Sequence, residues 1–429
     1  MTAGANAIVL PYGDATVRAT APGRCLGSLE IDARPGLTDP ATAIRESFAR
    51  PIGMGENVFE GLTTGLPIVI LVSDSFRQTR ADTVLPVLLD GLSEAGIEDS
   101  DISVLFSTGT HRGPTHEEQR LILGPETFDR LSGRIASHDA HDPTACVFVG
   151  TTRRGTPVEI NRLVVEAGHV IATGGVVLHY FAGFGGGRKS VVPGVASART
   201  IAHNHAMNLH ASEDTLDPAV RIGALDGNPV AEDMLEASRM CRVDFIVNTV
   251  LNRDGAIAGV FAGELEAAHA EACAFAQDTY AVEIAERADV VIAASAQTKN
   301  FVQTHKALFN AYQAVKPEGR IVLAAPCAEG LGGEQFAQWL RLGDRSAIIA
   351  ALRRQSEING QTALSTREKA PRTLLVSEMD EADVALLGGR KSNTLQDAID
   401  RAFAEAGGGA ESTYYCMPSA AYTVPFSAA

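Results

Sequence analysis

The stretch "LPIVILVSD", residues 66–74, sets the fold class. Its run of aliphatic, largely β-branched residues reads as a buried strand, and the Ser-Asp pair that closes it marks the strand's end. After it, "TVLPVLLDGLSEAGI" (83–97) repeats apolar residues near every 3.6 positions and stops at a glycine, which predicts a helix. "DISVLFSTGTH" (101–111) and "HVIATGGVVLHY" (169–180) read as further strands with polar ends. "DFIVNTVLNRDGAIAGVFAG" (244–263) predicts a hairpin turned at Asp254-Gly255, and "GELEAAHAEACAFAQ" (263–277) a helix. A second series follows. "ADVVIAASAQ" (288–297), "GRIVLAAP" (319–326), "APRTLLVSE" (370–378) and "ADVALLG" (382–388) read as strands. "VQTHKALFNAYQAV" (302–315) and "TLQDAIDRAFAEAG" (394–407) read as helices. Alternating strands and helices imply an α/β protein of two domains with mostly parallel sheets, divided near residues 275–285.

In open α/β sheets, ligands lie beyond the carboxyl ends of the strands. The polar clusters "SDSFR", "STGTHR" and "LHYFAGFGGGRK" each follow a strand, so they are expected to converge on one crevice. The bulk properties fit a small-molecule partner. A chain of 429 residues with a formal charge of −16 lacks the basic face that nucleic acid or an anionic membrane requires. No apolar run is long enough to span a membrane, and the N-terminus carries no signal-like segment. Six scattered cysteines without a C-x-x-C pair predict reduced thiols and a cytoplasmic location.

The densest signal is "HYFAGFGGGRKSVVPG", residues 179–194. Four glycines in five residues before Arg188-Lys189-Ser190 suggest a phosphate cradle. The match fails in detail. A P-loop needs glycine where Arg188 stands, and so does the third position of a dinucleotide fingerprint. Pro193 and Gly194 also break the helix that both motifs need. The plain alternative is a glycine turn with a solvated Arg-Lys tip.

His111 and His179 each follow a strand. Imidazoles titrate near neutrality, so a pair of them can act as acid and base. Asp74 and Arg77 follow the 66–74 strand, as a helix N-cap with a surface arginine or as an anion clamp. In "TIAHNHAMNLH" (200–210), His203 and His205 lie on different faces of a helix, so one histidine at most faces a given site. One imidazole is an incomplete metal shell, and any metal would need most of its ligands from outside the chain. Gln303 and Lys306 share a helix face, either merely solvated or offered to an anionic substrate.

Taken in order, "SDSFR", "STGTHR", "HYFAGFGGGRKSVVPGVASARTIAHNH" and "QTHKALFNA" resemble the nickel-dependent lactate racemase family, from about residue 50 to 330 and more weakly beyond. The resemblance implies two α/β domains with the active site in the interdomain crevice. Residues 1–278, joined by 410–429, would form one domain and 279–409 the other. It implies a nickel-pincer nucleotide (pyridinium-3-thioamide-5-thiocarboxylate mononucleotide nickel) bound covalently to Lys189, with His205 as the protein's metal ligand. His111 and His179 become the catalytic bases. Asp74 and Arg77 become cofactor contacts, and Arg77, Gln303 and Lys306 substrate contacts. The implied reaction is racemisation or epimerisation of a 2-hydroxy acid by proton-coupled hydride transfer. Cofactor-biosynthesis enzymes are the implied loading partners. The glycines would let the chain approach a bulky cofactor closely. Three departures fall around the substrate: Gln78 where the family often has proline, Val302 where it often has tyrosine, and Gly360-Gln361 near a family tryptophan. These predict a substrate larger than lactate. The competing readings are a P-loop-like nucleotide-binding protein and a cofactor-free binding module of the same fold.

Overall fold

Ile68–Ser73 is a strand in which all six residues are buried. It lies at the centre of a six-stranded sheet of order Ile257–Gly263, Phe245–Leu251, His169–Gly175, Ile68–Ser73, Ile102–Ser107, Ile135–Ser137. Every pairing is parallel except the Phe245–Leu251/Ile257–Gly263 hairpin, which turns where the Asp-Gly signal predicts. A central parallel strand has helices on both faces, so its side chains have no wet side, and an uninterrupted aliphatic run is what that position selects. The Ala81–Glu94 helix packs Val84, Leu85, Leu88 and Leu92 against Ile68, Ile70 and Val104. Burying each such side chain contributes about 1.5–3 kcal/mol.

The computed structural model describes residues 6–75, 77–409 and 411–427. The chain divides into two compact units. A central unit holds Ala33–Ala211 and Leu216–Thr279, and a terminal unit holds Met1–Asp32, Ser212–Thr215 and Tyr280–Ala429. The terminal unit has its own six-stranded sheet, of order Arg390–Ser392, Thr373–Val376, Val315–Ala324, Ala288–Ala294, Thr413–Met417, Arg24–Ser28. All of its pairings are parallel. The Asn6–Tyr12/Ala15–Ala21 hairpin adds Ile8 and Leu10 to a core with Val290, Val322, Phe403 and Tyr414. The protein is therefore α/β with mostly parallel sheets.

Two expectations are corrected. Residues 410–429 do not return to the first domain. Thr413–Met417 pairs with Ala288–Ala294 and with Arg24–Ser28, and Val424–Ser427 pairs with Ala281–Ile284, so this segment and residues 6–28 both build the terminal unit. "ADVALLG" is not a strand. Glu381–Leu387 is a short helix that opens with Glu381 and Asp383 in its first turn and ends on the left-handed Gly388. The acids suit the helix N-terminus and the glycine its C-cap, and a short apolar run does not by itself distinguish strand from helix. Among the described residues, no helix is long and apolar enough to cross a membrane. All six cysteines are free thiols.

Candidate active site

In the central sheet, Ile68–Ser73 sits between His169–Gly175 and Ile102–Ser107, all parallel, so the three strands end at one edge. Asp74 follows the first of them and is fully buried. Its Oδ2 lies 2.7 Å from Nδ1 of His111, which lies just past the third. A carboxylate oxygen accepts, so Nδ1 of the neutral ring carries the proton and Nε2 keeps the lone pair. The His111 side chain is 39% exposed, so the pair joins a buried anion to an accessible imidazole. Asp74 is not a helix N-cap. The next helix starts at Ala81, and its N-cap, Arg80, is left-handed with φ 56°. Arg77 is exposed, and its N–H donates to the Asp74 carbonyl at 3.3 Å. The His111 turn is tied down by Thr108, whose Oγ1 donates to the His138 carbonyl at 2.7 Å, and by Gly109, whose N–H donates to Gly194 at 2.9 Å.

The Arg-Lys tip is not solvated. Arg188 is 6% exposed and Lys189 8%. They lie in Gly187–Ser190, a four-residue 3-10 turn that is too short to be the helix of a nucleotide-binding loop. The turn is held from beneath. Gly187 N–H donates to Asn248 Oδ1 at 2.9 Å, and Ser190 Oγ to the Thr173 carbonyl at 3.2 Å. Arg188 donates to the Ala231 carbonyl and to Nδ1 of His269, both at 3.2 Å. His269 in turn donates from Nε2 to the Gly185 carbonyl at 2.8 Å. Burial first, and then the Arg188 charge, pushes His269 down to about 4. The guanidinium is thus met by a neutral imidazole, which can accept at one nitrogen while donating at the other.

The glycines serve this packing. Gly187 has φ +51°, and a Cβ there would stand 2.5 Å from the His269 ring. Gly187→Ala is expected to cost about 2–4 kcal/mol, from left-handed strain plus overpacking. Urea unfolding measures this, and a loss under 1 kcal/mol would contradict so tight a turn.

Phe181 gathers the remaining residues. Its ring centroid is 4.7 Å from that of His179, 4.8 Å from that of His205 and 5.4 Å from the Lys189 amine. His179 lies in a two-stranded ribbon, and its Nδ1 accepts long contacts from the N–H groups of Phe181 (3.4 Å) and Ala182 (3.3 Å). His205 is buried near the end of the Ala198–Ala206 helix, whereas His203 is exposed. The helix stops before His210. Burial, and secondarily the Lys189 charge, pushes His205 down to about 3.

The candidate residues therefore form two clusters in the central unit: Asp74 with His111, and His179, Lys189 and His205 around Phe181. Gln303 and Lys306 belong to the terminal unit. They lie exposed on the Phe301–Ala314 helix, which is capped by Asn300. On the same helix, buried His305 places Nε2 2.9 Å from Ser365 Oγ. Burial, then the charges of Lys369 and Lys306, pushes it down to about 3. Sequence reasoning missed Phe181, Asn204, Asp233, Asn248 and His269. Phe181 and Asn204 stand inside quoted motifs, but nothing distinguishes Asp233 or His269 from ordinary helix residues.

The buried imidazoles set a pH window. Their pKa lies below the usual 6.5, so the stability gained by keeping them neutral is complete above 6.5 and is lost as pH falls toward 4 for His269 and 3 for His305. Each costs about 1.4 kcal/mol per pH unit inside its window. Glu118 and Glu405, both held to about 2 by arginine hydrogen bonds, start to cost stability only below their ordinary 4.5. The urea midpoint is expected to decline already between pH 6.5 and 4.5. A midpoint flat across that interval overturns the assignment.

Comparison with known proteins follows the same residues. The lactate racemase N-terminal domain model matches residues 12–217. The lactate racemase of Thermoanaerobacterium thermosaccharolyticum is 34% identical over 303 residues, covering 70% of this chain and 68% of its own. That of Lactiplantibacillus plantarum is 35% identical over 297 residues, covering 68% of each. The solved lactate racemase apoprotein from T. thermosaccharolyticum superposes with a TM-score of 0.87 at 28% identity, over 98% of this chain and 100% of its own. A solved Thermotoga maritima protein, 19% identical with a TM-score of 0.67 over 93% of this chain and 100% of its own, shares the fold.

Proposed function

Because the chain belongs to the lactate racemase family, and is thereby an isomerase, we propose that it inverts a 2-hydroxy acid with a nickel-pincer nucleotide carried on Lys189. One observation carries this reading: a buried primary amine, a buried imidazole and a second histidine pack on the single ring of Phe181. The donor set fits the cofactor. Among the described residues, no group of three or more His, Cys, Asp or Glu side chains could hold a metal. A metal beside His205 therefore needs ligands that arrive with it, and Lys189 is the amine to which such a ligand could be tethered.

When bound, the cofactor supplies a hydride acceptor next to nickel. The chain's residues handle the protons and the carboxylate. His111, with Asp74 on Nδ1, presents Nε2 as a base to the substrate hydroxyl. His179 accepts backbone N–H groups at Nδ1, so its proton sits on Nε2, ready to be given back to the oxygen. The two resting tautomers are complementary, one base and one acid, and they exchange roles when the opposite enantiomer reacts. Arg77 offers a guanidinium to the carboxylate, and Gln303 and Lys306 are further substrate contacts.

The substrate is proposed to be bulkier than lactate. Val302 replaces a tyrosine, and the sole tryptophan, Trp339, is used elsewhere: its indole packs on Gly360, where a Cβ would stand 2.8 Å from the ring, and its Nε1 donates to Glu357. The test is co-expression with cofactor-biosynthesis enzymes, followed by intact-mass analysis and a screen of single-enantiomer 2-hydroxy acids. A mass increase on Lys189 with about one nickel per chain, and faster loss of optical purity for a larger acid than for lactate, is expected. No adduct sinks the cofactor reading, and lactate reacting fastest sinks the substrate reading.

A further inference from the structure

Behind His205 lies a buried polar chain that the reaction does not touch. Asn204 and Asp233 are both fully buried. Asn204 Nδ2 donates to the Val230 carbonyl at 3.0 Å and to Asp233 Oδ2 at 2.9 Å. Asp233 is itself fixed by Thr152 Oγ1 at 2.5 Å and Thr156 Oγ1 at 2.8 Å. The Thr156 N–H donates to Thr152 Oγ1 at 3.1 Å, which holds the two hydroxyls in register.

This arrangement leaves one choice for the amide. The Val230 carbonyl can only accept, so the amino group of Asn204 must face it. The Asn204 carbonyl oxygen then faces His205 Nδ1 at 3.2 Å. An amide oxygen cannot donate, so Nδ1 must be the protonated nitrogen. A metal-binding imidazole is neutral and holds one proton, so its lone pair is on Nε2.

We infer that Asn204, oriented by Asp233 and the Val230 carbonyl, is a positioning residue that fixes His205 in the Nδ1–H tautomer and so selects Nε2 as the nitrogen offered to the metal. The inference rests on the reading of His205 as the nickel ligand. An amide flipped by half a turn would put its amino group against Nδ1, move the ring proton to Nε2 and remove the lone pair from that side. Partners of this kind hold a ligating ring in orientation and tautomer, and losing one typically weakens metal binding 10–100-fold.

Two measurements test it. The first uses the full chain expressed alone, labelled with 15N-histidine, with the His205 ring signals assigned by their loss in His205→Gln. Long-range proton–nitrogen correlation is expected to show Nδ1 protonated and Nε2 bare in wild type, and the preference lost in Asn204→Ala. Nε2 protonated in wild type overturns the inference without reference to any metal or to the folding of a variant.

The second uses cofactor-loaded protein and nickel retention against a chelator. Asn204→Ala and the isosteric Asp233→Asn are expected to lose nickel about 10–100-fold more readily. Retention unchanged in both overturns the inference. If His205→Gln retains nickel as well as wild type, the ligand assignment fails instead, and the two failures are distinguishable. Asp233→Asn keeps the volume of a side chain nested among Thr152, Thr156 and Asn204, and it serves where Asn204→Ala does not fold.

Discussion

Lys189→Met is expected to abolish covalent loading and reduce racemisation to the background rate. Methionine keeps most of the unbranched stem that lies over Phe181 and removes the amine. The lost contact is a cation–π pair worth about 0.5–2 kcal/mol, so the variant should unfold within a few degrees of wild type. A tether is all-or-none, because without it the cofactor must be held by non-covalent contacts alone. The decisive readout is intact mass after co-expression with the cofactor-making enzymes: an adduct on wild type and none on the variant. An adduct of equal mass on Lys189→Met would place the attachment elsewhere and dismantle the proposed mechanism. Racemisation persisting without any adduct would show that the covalent bond is dispensable.

The second large effect is expected from Asp74→Asn. The replacement is isosteric and remains buried. If its amino group turns toward His111, Nδ1 becomes an acceptor and the ring proton moves to Nε2, the nitrogen required as a base. His111 and His179 would then both rest as acids, with no base for the first proton. General-base catalysis is commonly worth 10²–10⁴-fold, and the matching change behind a catalytic histidine in serine proteases costs about 10⁴-fold. A fall in kcat of about 10²–10⁴-fold is expected, with the Lys189 adduct still forming. Retained loading separates this outcome from a simple loss of cofactor contact. A kcat within threefold of wild type would mean that Asp74 does not set the state of His111.

The sequence made the site legible residue by residue but not its wiring. His111, His179, Lys189 and His205 stand out because histidines and a lysine beyond strand ends, beside a glycine cluster, are unusual in a surface loop. That Asp74 pairs with His111 follows from the parallel pairing of Ile68–Ser73 with Ile102–Ser107, which no local pattern records. Asp233 and His269 were invisible for a different reason. Each lies on a helix with ordinary spacing, and its partners are Asn204, Thr152, Thr156 or Arg188, 29 to 81 residues away. The two misread segments share one cause. "ADVALLG" and the C-terminal residues were assigned from short apolar runs or by resemblance, whereas their placement depends on end-capping and on which strand edge remained open.

That open edge has a consequence for synthesis. Arg24–Ser28 is among the first segments to leave the ribosome, and its sheet partner Thr413–Met417 is among the last. At ordinary translation rates the early strand waits roughly 20 to 80 s for the late one. The central unit is encoded almost entirely between them, so it can fold on the nascent chain while the N-terminal hairpin and strand remain unpaired. The vulnerable interval in this protein's life is therefore the wait before release, when an unpaired strand is exposed to other chains.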